Sequence, residues 1–231
     1  MKKVLIIGDS HTARLQNNLN VTFSEKCVWE HEKKIKSNCI DNHLNVLYEK
    51  EITIYFSYHK GKSAYKGYAY DNDKYPCIHQ LISDEFIILP WFGYIDVKQF
   101  LPMKDKESPE IAAKRYVEQT LLFFNNNEIR FIEPMPQFIN KLGTGSPNFS
   151  FEERYPLYKR FNIALNEEIK KNNLKKPISL ENILKTDRLN EDKECDGCFS
   201  CDSMVGTPYK LDHPKKIYFN MILDGIIKEL V

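Results

Sequence analysis

Apolar residues occur along this chain in short runs that are separated by stretches of helical spacing. Runs at 4–8, 51–57 and 85–91 are rich in β-branched and aromatic residues, which predicts β-strands. The core of the third run, 86–89, is continuously apolar and therefore typical of a strand that is covered on both faces. The segment that follows the first run, 10–19, is predicted to be a helix.

Helix signals are clearer in the second half of the chain. Ser108 followed by Pro109 is the pattern of a helix N-terminus, and the asparagines at 125–127 are expected to end that helix. A capping box at 150–153 opens a second helix that should run to about residue 172. A third helix is predicted over 214–230 from its apolar positions.

Two further strands complete the pattern. The runs at 129–133 and 177–180 are expected to be the fourth and fifth strands, while 141–148 has the glycine and proline content of a loop. The polar stretch 20–50 is assigned no element. Strands that alternate with helices predict an α/β fold, in which a parallel sheet carries helices on both faces.

A parallel sheet would bring distant segments of this chain together. Ligands bind such sheets at the carboxyl ends of the strands, here called the carboxyl edge. The first strand ends at Ser10, the second at 59–64 and the third at 92–96. These three segments are therefore expected to converge on one site.

Ser10 is the candidate nucleophile because it follows a strand and precedes a helix, where unpaired backbone N–H groups can stabilise an oxyanion. His213 is the candidate base, and the adjacent Asp212 is the acid that would orient it. Simpler roles remain open. Ser10 and Asp212 can each cap a helix, and Asp9 and His11 can serve only to hold the turn.

Composition narrows the function classes. The 231 residues are expected to form one domain, 1–231, with a sizeable core. The 33 basic and 32 acidic residues nearly cancel, which argues against a nucleic-acid or anionic-membrane partner. The first apolar run is too short for a signal peptide, and no segment suggests a membrane span. With six cysteines and no secretion signal, a cytoplasmic protein with reduced thiols is expected.

Four short blocks, in chain order, resemble those of the SGNH (GDSL-like) hydrolase superfamily. The blocks are Gly8-Asp9-Ser10, Gly61, the segment from Gly93 to Asp96, and Asp212-His213. The resemblance implies a flavodoxin-like three-layer α/β/α fold with five parallel strands. It also implies that Ser10 is the nucleophile and His213 the base of a serine-dependent ester hydrolase or acyltransferase. Backbone N–H groups of Ser10 and Gly61 would hold the oxyanion, and Gly93, Asp96, Asp9 and His11 would complete the site. Small O-acyl esters, including O-acetyl groups of glycans, are the expected substrates, and no cofactor is implied.

Two positions depart from the superfamily pattern. Ile95 replaces the third-block asparagine, whose amide donates to the oxyanion, and Asp96 follows it, as in some glycan-associated relatives. We expect Asp96 to be turned away, paired with a donor or protonated by burial. Lys210 occupies the usual position of the acid, so a Ser–His dyad is favoured over a triad. These departures leave open a non-catalytic module that binds a glycan.

Three cysteines form a second cluster shortly before the histidine block. Cys195, Cys198 and Cys201 have zinc-ligand spacing, but a structural zinc site needs four ligands. His213 as the fourth ligand would not be available to Ser10. We therefore expect a loop with free thiols, with a metal-binding protein as the alternative.

Overall fold

A six-stranded sheet lies at the centre of the described part of the chain. The computed structural model describes residues 2–9, 11–12, 15, 28–31, 45–49, 52–58, 63–64, 82–97, 101–102, 108–135, 149–184, 204–205, 213–214 and 216–230. The strands of this sheet are β1 (Lys2–Gly8), β2 (Val28–His31), β3 (Asn45–Glu49), β4 (Ile52–Tyr58), β5 (Phe86–Trp91) and β6 (Glu128–Ile129).

Helices account for most of the remaining described residues. They are α1 (Pro109–Phe123), α2 (Phe151–Lys171), the short α3 (Leu180–Leu184) and α4 (Lys216–Leu230). The strands β7 (Met204–Val205) and β8 (His213–Pro214) pair with each other in an antiparallel ribbon. Within the described ranges, no helix combines the length and apolar character needed to cross a membrane.

The sheet is parallel in its main part. Its strand order is β2-β3-β4-β1-β5-β6, and the strands from β4 to β6 run parallel, while β2 and β3 are antiparallel additions beside β4. In this register Gly8 lies opposite Tyr58 on one side and Trp91 on the other. The carboxyl ends of β1, β4 and β5 are therefore level with one another.

Side chains of β1 alternate between two hydrophobic clusters, one on each face of the sheet. Val4 and Ile6 belong to the cluster that contains the buried residues of α4, whereas Leu5 and Ile7 belong to the cluster with those of α1 and α2. Helices thus cover both faces of the sheet, and both sets of β1 side chains are buried, as is typical of a parallel strand. The result is the three-layer α/β/α arrangement that the sequence predicts.

The helix starts of α1 and α2 follow the sequence signals. The Ser108 hydroxyl accepts a hydrogen bond from the Ile111 N–H at 3.3 Å. Ser150 and Glu153 form the reciprocal capping box, with distances of 3.2 and 2.7 Å between each side chain and the backbone nitrogen of the other residue. Both predicted helix starts are confirmed. Such caps form because the first backbone N–H groups of a helix have no partner within the helix.

The five strands predicted for the parallel sheet correspond to four strands and one bridge among the described residues. Among the described residues, the parallel part has four strands, and the expected fifth strand is reduced to a single bridge between Ile132 and Ile178. It stays short because α3 begins at Leu180. The last helix likewise begins at Lys216, because Pro214 pairs in the β7–β8 ribbon. The strands β2 and β3 fall in the stretch to which no element was assigned.

Gly8 provides a first test of this packing. A Cβ at Gly8 would lie 2.4 Å from the Trp91 carbonyl oxygen and 2.3 Å from Thr12 Oγ1. The Trp91 backbone is held in the sheet, so we expect Gly8→Ala to lower the free energy of unfolding by about 1–3 kcal/mol. Denaturant unfolding followed by circular dichroism measures this change.

Gly225→Ala in α4 is the matched control. Its Cβ would lie 2.7 Å from side-chain atoms of Ile183, which can shift, and alanine favours a helix over glycine by about 1 kcal/mol. We expect this variant to remain within about 1 kcal/mol of the parent. Equal losses for the two variants would contradict the close backbone contact at Gly8.

Candidate active site

The turn after β1 is held against the end of β5. The Asp9 N–H donates to the Trp91 carbonyl oxygen at 3.4 Å, and the Thr12 N–H donates to the Asp9 carbonyl oxygen at 3.1 Å. His11, Thr12 and Leu15 are helical, so a helix follows the strand almost at once, as the sequence predicts.

Asp9 and His11 form a buried pair within this turn. One carboxylate oxygen of Asp9, Oδ1, accepts a hydrogen bond from the His11 backbone N–H at 2.9 Å, and the ring Nδ1 lies 2.9 Å from the same oxygen. Both residues are only 1% exposed. The imidazole packs edge-on against Tyr94, with ring centroids 4.3 Å apart, and lies 6.0 Å from the Trp91 ring.

Gly93 begins the third block at the end of β5. Its φ of +108° is a conformation that residues with a side chain rarely adopt. A Cβ there would also lie 2.7 Å from Pro134 and 3.0 Å from Phe161. The chain then enters a short helical turn, in which the Val97 N–H donates to the Gly93 carbonyl oxygen at 3.0 Å.

Asp96 joins the third block to the segment that follows β4. Its carboxylate is fully buried and accepts a hydrogen bond from the Ala64 N–H at 2.7 Å. The expectation that this acid is paired with a donor is therefore met. Ala64 lies three residues beyond Gly61, so Asp96 contacts the neighbourhood of the second block.

A third buried acid, Glu133, lies where the chain leaves β6, and the sequence analysis did not single it out. Its N–H donates to the Ile178 carbonyl oxygen at 3.0 Å, and Asn166 Nδ2 lies 3.4 Å from its carboxylate. Burial raises the pKa of Glu133, while hydrogen bonds from Ser179 and Asn166 partly oppose the shift. An acid at the end of an apolar strand, just before Pro134, was the available signal.

The end of α4 lies near the start of β1, because the Leu230 carbonyl oxygen accepts a hydrogen bond at 2.5 Å from Lys2 Nζ. The 15 residues of α4 extend about 22 Å, which is close to the length of the seven-residue β1. We therefore expect the start of α4, which follows His213, to reach the carboxyl edge.

Several residues of the predicted site lie outside the described residues. They are Ser10, Gly61, Asp212, Cys195, Cys198 and Cys201. Their roles remain predictions, as does the role of the His213 side chain. Among the residues that the structure does describe, no group of three or more histidine, cysteine, aspartate or glutamate side chains is arranged to hold a metal ion.

The described part of the edge has a clear chemical character. Its buried acids are bound to N–H donors or have Asn166 nearby, and three strand-end segments are joined by hydrogen bonds and ring packing. The described N–H groups at the start of the helix after β1, those of His11 and Thr12, are both bound to oxygens of Asp9. The oxyanion donors expected from the sequence, Ser10 and Gly61, lie outside the described residues and stay predictions.

No family model and no curated protein matches the sequence. Solved structures do match the fold over almost the whole chain. A lipolytic protein of the G-D-S-L family from Veillonella parvula has a TM-score of 0.58 at 11% identity, covering 99% of this chain and 97% of that one. The acetyl xylan esterase AlAXEase has a TM-score of 0.57 at 14% identity, with 99% and 100% covered.

A catalytic mutant of an acetylxylan esterase from Geobacillus stearothermophilus is also similar, with a TM-score of 0.55 at 14% identity and 99% and 94% of the two chains covered. The chain therefore has the fold of GDSL-type lipolytic proteins and acetyl xylan esterases. This is the fold that the four sequence blocks predict.

Glu133 makes the stability of this edge depend on pH. Because burial raises its pKa above the ordinary value of 4.5, the folded protein holds this proton more tightly than the unfolded chain does. The contribution of Glu133 to the free energy of unfolding is complete below pH 4.5 and is lost as the pH rises through its folded-state pKa. We expect Glu133→Gln to gain stability relative to the parent over that range, as measured by denaturant unfolding at a series of pH values.

Glu110→Gln is a control, because the pKa of Glu110 is shifted in the opposite direction to that of Glu133. Its hydrogen bond to Arg160 lowers the pKa of Glu110, so any contribution is present above pH 4.5 and is lost as the pH falls. The pair is about half exposed, and its effect should be small. A pH-independent difference between Glu133→Gln and the parent would contradict the raised pKa of the buried Glu133.

Proposed function

We propose that this protein is a serine-dependent ester hydrolase with Ser10 as nucleophile and His213 as base. The observation that supports the proposal is that the end of β1 and the Gly93–Asp96 segment meet at one edge, where His11 packs against Tyr94. The length of α4 leads us to expect His213 at the same edge. Only a nucleophile and a base that meet at one place can perform acyl transfer.

In the first half of the reaction, Ser10 Oγ attacks the carbonyl carbon of an ester while His213 takes the hydroxyl proton. The tetrahedral intermediate carries a negative oxygen. It collapses by breaking the bond to the leaving oxygen, which receives the proton from His213 and departs as an alcohol. The acyl group remains on Ser10 as an ester.

In the second half, water attacks the acyl-enzyme with His213 again as the base. The acid leaves, and the proton returns to Ser10. A sugar hydroxyl in place of water would make the same site an acyltransferase. Which acceptor is used depends on what the pocket binds, and hydrolysis is the simpler proposal.

The oxyanion would be held by backbone N–H groups of Ser10 and Gly61. Asp96 supports this hole indirectly because its carboxylate binds the Ala64 N–H, close in the chain to Gly61. Ile95 has no amide to donate, so the site relies on backbone donors where relatives have an asparagine.

A Ser–His dyad is the proposed form of the base. Asp212 is adjacent to His213 in the chain, and neighbouring side chains face each other only where the backbone bends sharply. A backbone carbonyl oxygen can orient the imidazole instead.

Small O-acyl esters are the proposed substrates, with O-acetyl groups on glycans as the first candidates. The acetyl xylan esterases that share this fold support the choice. The cytoplasm is the proposed compartment, and its reducing conditions would keep the six cysteines as thiols.

Covalent labelling tests the proposed function. A fluorophosphonate probe should label the parent protein and should fail to label Ser10→Ala, because the probe reacts with an activated serine hydroxyl. Hydrolysis of nitrophenyl acetate and acetylated xylo-oligosaccharides should fall by at least about 10³-fold in the same variant. A parent protein that neither reacts nor hydrolyses, but binds the oligosaccharide, would instead be a glycan-binding module.

Asp96 gives a second test. Asp96→Asn keeps an oxygen that can accept from the Ala64 N–H, so kcat/KM should stay within about tenfold of the parent or rise. Asp96→Leu leaves that buried N–H without its acceptor and should cost about 1–3 kcal/mol of stability. Ester hydrolysis and thermal unfolding measure both variants. A loss of several orders of magnitude in a folded Asp96→Asn protein would assign the carboxylate a direct chemical role.

A further inference from the structure

We infer that Asp9 and His11 form a positioning pair that fixes the backbone on both sides of the proposed nucleophile. The inference rests on the proposed function of Ser10. It assigns to His11 a role that acts through the turn, rather than contact with the substrate.

Two hydrogen bonds hold the residues that flank the proposed nucleophile in the sequence. Asp9 Oδ1 is bound by the backbone N–H of His11, and the Asp9 carbonyl oxygen is bound by the Thr12 N–H. These local side-chain and main-chain bonds fix His11 and Thr12 relative to Asp9. Asp9 is itself tied to β5 through its N–H and the Trp91 carbonyl oxygen.

The imidazole makes this turn rigid. Its Nδ1 is bound to the same Asp9 oxygen that accepts the backbone N–H, so one carboxylate oxygen holds both the main chain and the ring of His11. The ring is held on its other sides by Tyr94 and Trp91. An imidazole that is 1% exposed and bound in this way is not available to a substrate.

The same ring connects two blocks of the site. Tyr94 follows Gly93 directly, so the contact between His11 and Tyr94 sets the spacing between the first and third blocks. A loss of the ring or of its hydrogen bond would let the two blocks shift. A displacement of about 1 Å at a reacting atom can lower a rate by about 10²-fold.

Two amide substitutions separate this role from simple packing. In His11→Asn the side-chain nitrogen can take the place of Nδ1 and still donate to Asp9. In His11→Gln it extends towards the position of the other ring nitrogen. We expect His11→Gln to lower kcat, and the rate of fluorophosphonate labelling at Ser10, by about 10- to 100-fold with little change in KM. His11→Asn should recover most of that loss.

Ile222→Val is the matched control for stability. Ile222 is fully buried in α4, in the same cluster as Trp91 and Tyr94, and its truncation lowers stability without touching the turn. Thermal unfolding of all variants identifies the assay temperature at which each is folded. At that temperature Ile222→Val should keep the parent kcat and labelling rate.

A double-mutant cycle completes the test. Asp9→Asn and His11→Gln should together cost about as much in labelling rate as the more damaging single variant, because each breaks the same unit. Additive losses, or a parent-like kcat in folded His11→Gln, would overturn the positioning role. If the parent protein does not label at Ser10, the proposed function itself fails, and that result is separate from any difference among the variants.

Discussion

The parallel register of β1 between β4 and β5 is the constraint on which the rest of the structure depends. It sets Gly8 level with Trp91, so close that a single methyl group at Gly8 would strike the Trp91 carbonyl oxygen. Because β1 is covered on both faces and paired on both edges, it has no freedom to slip. The chain therefore leaves the sheet at a defined position after Gly8. There the Asp9 N–H donates to the same Trp91 carbonyl oxygen that excludes a larger residue at Gly8.

Buried carboxyl groups are the second common feature of the carboxyl edge. Asp9 binds N–H groups of His11, Asp96 binds the Ala64 N–H, and Glu133 lies close to Asn166 with its pKa raised by burial. A buried carboxylate is costly unless donors surround it. Here Asp9 and Asp96 hold separate segments of the chain together through those donors. Asp96 thereby joins the third block to the segment that follows β4.

The fold alone does not determine the reaction. Solved structures that share it are only 11–14% identical to this chain, and a shared fold can serve several functions. The proposal of ester hydrolysis comes from the sequence blocks, in which Asp9 and His11 flank Ser10 and are held in the turn after β1. His11 also packs against Tyr94 and lies near Trp91, which joins that turn to the end of β5.

The sequence by itself determined those helix starts and strands that a few neighbouring residues are enough to predict. The caps at Ser108 and Ser150 and the apolar runs of β1 and β5 are of this kind, because a cap or a buried strand needs only its own neighbours to be recognised. Only the tertiary structure decided which residues meet. Asp96 and Ala64 are 32 positions apart, and no local pattern predicts their hydrogen bond. The strands β2 and β3 were not predicted for the same reason. β3 pairs with the edge of β4, and β2 pairs in turn with β3, so each of these edges exists only in the assembled sheet.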